Sequence, residues 1–127
     1  MGKIMEWHRE EPTALDVCRI QELLTSLGSV RAREVISDVA LEIIAKSARL
    51  DRALERGDLD LAARLARSIA CLSEQVGLME FSISASNLYD CASRKDLVAL
   101  PAVAARASRL GETASHMLLE LSFREDL

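Results

Sequence analysis

Apolar residues return every three or four positions along most of the chain, the period of a helix that buries one face. The clearest run is 59–76, where Ala62, Leu65, Ile69, Leu72 and Val76 keep steps of 3, 4, 3 and 4 before Gly77 terminates the helix. Over about 97–122 the stripe is Leu100, Val103, Ala107, Leu110, Ala114, Met117 and Leu121. Pro101 fits only the first turn of that helix, where its missing N–H costs nothing. Ile36, Val39, Ile43, Leu50 and Leu54 mark a helix over about 30–56, and Phe81, Ala85, Leu88 and Ala92 another over about 79–94. A shorter leading helix carries Leu15, Ile20, Leu23, Leu24 and Leu27. Thr13 is placed to cap it, with Asp16 three residues on, and Gly28 to end it as an αL residue.

Gly57 ends the second predicted helix and Asp58 caps the third, so the loop between them forces an antiparallel hairpin. The pattern therefore predicts an all-α fold, an antiparallel up-down four-helix bundle with an extra short N-terminal helix. Residues 1–12 are largely polar, with Met5 and Trp7 among them, and read as an arm. Residues 13–127 read as a single bundle domain.

Composition narrows the function more than the fold. Half of the 127 residues are hydrophobic but only four are aromatic, so the core is Leu, Ala, Ile and Val. A net charge of −4 lacks the concentrated basic footprint that nucleic acid requires. No apolar run approaches the roughly 18 residues of a membrane span. The opening MGKIMEWHREEP has no apolar signal core, so a cytoplasmic protein is expected. Cys18, Cys71 and Cys91 are odd in number and lack CxxC spacing, which favours reduced packing cysteines over a metal site or disulfide. No cofactor and no metal are expected.

The outward face of the third predicted helix is unusual. On a helical wheel Arg67 and Glu74 lie about 170° from the apolar stripe, and Ala63, Ala70 and Cys71 about 130–150° from it. Arg67 thus stands in a frame of small residues, a shallow apolar shelf on which another surface could rest. Alanines there are equally explained as good helix formers. On the fourth helix Ile83 lies about 170° from its stripe. Single exposed hydrophobes are common, but one beside such a shelf fits an interface. The candidate partner-binding residues are Ala63, Arg67, Ala70, Cys71, Glu74 and Ile83.

The run ALERGDLDLAARLARSIACLSEQVGLMEFSISASNLYDCASRKDLVALPAVAAR resembles the histidine-containing phosphotransfer (HPt) domains of bacterial phosphorelays. The resemblance covers about residues 14–121 and implies a four-helix bundle with an extra N-terminal helix. The family's third helix carries His-x-x-Lys-Gly, with a second glycine six residues beyond the first. Alignment on Gly77, preceded by a hydrophobic residue, sets Arg67 at the histidine, Ala70 at the lysine and Cys71 at the first glycine. Gly57-Asp58 matches the family's hairpin, and Ala66 is a common neighbour of the histidine.

The replaced signature changes the chemistry. A guanidinium stays protonated and is a poor nucleophile, so Arg67 cannot accept a phosphoryl group as a neutral imidazole does. The lysine that would stabilise phosphoryl charge is absent. His116 lies about 150° from the stripe of its helix and reads as solvent-facing, and His8 falls in the arm. There is no HExxH, no paired Glu-x-x-His, no Gly-rich phosphate loop and no evident triad, so an enzyme is not expected. The resemblance implies a non-catalytic module that docks a response-regulator receiver domain or a histidine kinase, without nucleic acid or membrane. The alternative from another class is a structural bundle whose small-residue face forms a homodimer.

Overall fold

The computed structural model describes residues 15–124. Four helices follow one another: α1 (Val17–Arg56), α2 (Leu59–Gln75), α3 (Met79–Arg94) and α4 (Leu100–Ser122), with no strand among the described residues. Each packs on two neighbours, α1 against α2 and α4, and α3 against α2 and α4. That is the expected bundle. Its centre is aliphatic, with Ile36, Ile43, Ile69, Leu88, Met117 and Leu118 all fully buried.

The first two predicted helices are joined. α1 is one 40-residue element interrupted only at Gly28, with φ 78° and ψ 164°. The positive φ was expected, but ψ lies far from the αL value, in a region essentially reserved for glycine. One residue therefore turns the chain without a loop. The leading limb also starts later than Thr13 implied, since Asp16 is the N-cap and its Oδ1 accepts from the Cys18 N–H at 3.0 Å. Thr13 itself and the predicted arm, residues 1–12, lie outside the described residues. Leu15 and Ile20 enter the core, whereas Leu27, expected on the buried stripe, is exposed.

The leading limb is fastened at the α2–α3 turn. The Asp16 N–H donates to the Gly77 carbonyl at 2.7 Å. Gly77 has φ 81°, and a Cβ there would come within 2.9 Å of the Asp16 carbonyl oxygen and 3.1 Å of Arg19 Cβ. Backbone conformation and close approach both require glycine at this position.

The other turns follow the sequence more closely. Gly57 adopts αL geometry and its N–H caps α1, while Asp58 Oδ1 accepts from the Leu61 N–H to open α2. Lys95 takes an αL conformation at the end of α3. Asp96 Oδ1 then accepts from the Ala99 N–H at 3.2 Å, so α4 begins at Leu100, not near 97. Pro101 sits in that first turn as predicted. No helix of the described chain is long and apolar enough to cross a membrane.

Candidate functional site

α2 and α3 enclose a shallow groove of about 300 Å³. Arg67, Cys71 and Glu74 line it from α2, and Ser86, Tyr89 and Asp90 from α3, with Ala70 and Ser82 between them. The Arg67 guanidinium carbon lies 5.5 Å from the centroid of the Tyr89 ring, within cation–π range. The ring holds the guanidinium on a platform while leaving the residue exposed. Ser82 Oγ donates to the Ala70 carbonyl at 3.0 Å and ties the two helices together beneath the groove.

Two of the candidate residues are not where the sequence placed them. Ala63 and Ala70 are each only 7% exposed, so neither belongs to an outer shelf. The reason is the width of the buried face. α2 has a neighbour on each side, and its buried set runs through Ala62, Ala63, Leu65, Ala66, Ile69, Ala70 and Ser73. Leu72, which helped define the expected stripe, is only half-buried. The true inward direction is rotated toward small residues, and those are the ones that let α3 approach. A stripe drawn through the largest side chains points to the wrong side of such a seam.

Arg67, Cys71 and Glu74 are exposed as expected. Ile83 is 60% exposed, but it does not line the groove. Tyr89 was missed. A signal for it exists, because Arg67 and Tyr89 lie equally far from Leu78 on either side, so an antiparallel hairpin brings them level.

Among the described residues, His116, Cys18 and Cys91 do not line this groove. His116 is exposed and its Nε2 lies 3.1 Å from Glu120 Oε1 on α4, while His8 lies outside the described residues. All three cysteines are free, and only Cys91 is buried, so Cys18 is not the packing residue expected, while Cys71 is exposed as its place on the outward face implied. Among the described residues no three His, Cys, Asp or Glu side chains gather as a metal site would require.

No family model matches the sequence, and no curated protein matches it. A solved structure does. Histidine-containing phosphotransfer protein B (HptB) from Pseudomonas aeruginosa PAO1 superposes with a TM-score of 0.79, covering 87% of this chain and 95% of that one, at 19% identity. The chain has the HPt fold. At that identity the likeness establishes architecture, and what the groove does must be argued from its own residues.

Proposed function

We propose that this chain is a non-catalytic HPt-like module of two-component signalling that docks a response-regulator receiver domain without exchanging phosphate. One observation carries the reading. Alignment on Gly77 sets Arg67 where an HPt domain carries its histidine, and Arg67 stands exposed there on the Tyr89 ring. The close approach of the leading limb requires glycine at position 77, the residue on which that alignment rests. No histidine among the described residues lines the groove. A guanidinium offers no free lone pair for phosphoryl transfer, but it is a durable donor for carboxylates. A receiver's acidic phosphorylation pocket supplies those carboxylates, and complementary charge favours fast and specific docking. The module would occupy a regulator's docking face without discharging it.

The buried seam dictates how this is tested. Cys71 is exposed in the groove, so Cys71→Glu should leave the fold intact and weaken receiver binding by roughly 100-fold, because the new carboxylate lies one helical turn from Arg67, engages its guanidinium and repels the receiver's own carboxylates. Calorimetric titration against receiver domains from the same genome measures this, with thermal melts as control. Incubation with phosphorylated receivers should leave no acid-labile phosphoryl group on the protein. A phosphorylated His116 or His8, or a homodimer that buries the Arg67 groove, would overturn the reading.

A further inference from the structure

The side of the bundle away from Arg67 holds a larger opening. α1 and α4 leave between them a cleft of about 380 Å³ that reaches the bundle centre. Its floor is Ile69, Phe81 and Leu88, each at most 2% exposed, and Leu54 and Leu119 form part of its walls. The volume lies in the range of small-molecule pockets, which combine an apolar lining with a few polar groups.

The polar groups here are of one kind. Asp51 on α1 and Glu112 on α4 both line the cleft. Partial burial raises the Asp51 carboxyl above its ordinary value of 3.8, and the negative fields of Glu55 and Glu112 add to the effect. His116 is the one other titratable group in the lining, and its imidazole lies beside Glu120. α2 and α3 contribute only apolar side chains. Ser47, Ser108 and Ser115 add hydroxyl oxygens able to accept hydrogen bonds. The cleft thus joins an apolar floor to a mouth that carries two carboxylates and no lysine or arginine in its lining.

We infer that this cleft binds a small amphipathic cation, an aromatic or aliphatic body carrying a protonated amine. The apolar body displaces water from the floor, and the ammonium sits between the carboxylates of Asp51 and Glu112. A fatty acid would bring a third negative charge to the same mouth, and a neutral hydrophobe would leave the carboxylates unpaired. The inference is independent of receiver docking, because Arg67 and its groove lie on α2 and α3.

The test uses the full chain, isotopically labelled, titrated with naphthalen-2-ylmethylamine, with the matching alcohol and with 2-naphthoate. Amide shifts should centre on the α1 and α4 segments around Asp51 and Gly111, with further shifts at the floor residues Ile69, Phe81 and Leu88. The amine should bind about tenfold tighter than the alcohol, the equivalent of one charge-assisted hydrogen bond, and the naphthoate should not bind. The double variant Asp51→Asn, Glu112→Gln should bring the amine down to the affinity of the alcohol. Ala104→Leu, which fills the cleft from the α4 side, should weaken both. Equal binding of amine and alcohol, an amine preference that survives the double variant, shifts centred on Arg67, or no shift at about 1 mM amine would each overturn the proposal.

Discussion

The α2–α3 seam and the α1–α4 seam are built from similar materials and close differently. Ala63, Ala66, Ala70 and Ser73 on α2 are all buried, as are Ser82, Ala85 and Ala92 on α3, and this pairing is the most extensive in the bundle. α4 also presents small residues to α1, with Ala104, Ala107, Ser108, Gly111 and Ser115 facing Ser47 and Ala48, yet the result is a cleft. Small side chains permit close approach but do not compel it. α2 and α3 are held by the short Gly77 turn and by the Ser82–Ala70 hydrogen bond. α1 and α4 are not consecutive in the chain, and they bring Asp51 and Glu112 to the same opening. Phe81 also stands under Gly111, where a Cβ would come within 3.0 Å of the ring. An aromatic wedge and like charges keep the second seam open.

The sharpest way to break that contrast is a charge in the closed seam. Ala70→Glu forces a larger, charged side chain into the buried contact with α3, and desolvation together with overpacking should destabilise the protein by about 3 kcal/mol or more. Cys71→Glu, one residue along but exposed, should stay within about 0.5 kcal/mol of wild type. Denaturant unfolding compares the two directly, and similar values would mean the α2–α3 seam is looser than described. A smaller effect of opposite sign separates the seams by volume. Ala70→Leu overpacks α2 against α3 and should cost about 2 kcal/mol. Ala104→Leu enters the cleft and should be neutral or stabilising by up to about 1 kcal/mol. Should both variants destabilise alike, the cleft has no room to spare. Smaller again is Ser82→Ala, which removes the tie to the Ala70 carbonyl and should cost about 1 kcal/mol in the same assay.

The helices were legible because each carries a periodic apolar stripe and a local stop. Gly57, Asp58, Gly77 and Pro101 act through backbone conformation and capping, which depend on near neighbours alone. Gly28 was legible as a break, but the absence of a loop there was not, since that depends on where Leu15 and Ile20 find cover. The site was half legible. Arg67 could be placed by counting back from Gly77, because a helix preserves register over such a distance. The burial of Ala63 and Ala70 could not, because it depends on which side of α2 carries α3. The cleft was illegible for the same reason. Asp51 and Glu112 are far apart in sequence, and their juxtaposition is set by how α4 returns along α1.

The smallest expected effect tests the charge at the open seam. Burial, then Glu55 and Glu112, raise the Asp51 carboxyl above 3.8. Between that ordinary value and the raised one, the folded state binds more protons than the unfolded state, so stability falls as pH rises through the interval. Below 3.8 both states are protonated and the penalty is absent, while above the raised value it is present in full. Asp51→Asn removes the charge, so the variant should be more stable than wild type at neutral pH. Asp51 is substantially exposed, and solvent screening limits the gain to a few tenths of a kcal/mol. The size matters less than the trend. The difference between the two proteins should shrink as pH falls and level off below about 3.8, which a set of urea titrations from neutral to acidic pH would resolve. A constant offset would mean that Asp51 is not under negative pressure in the folded state, and a variant less stable than wild type at neutral pH would mean that a cation already pairs with it. Either result would remove the electrostatic difference between the seams and leave packing alone to explain why one is open.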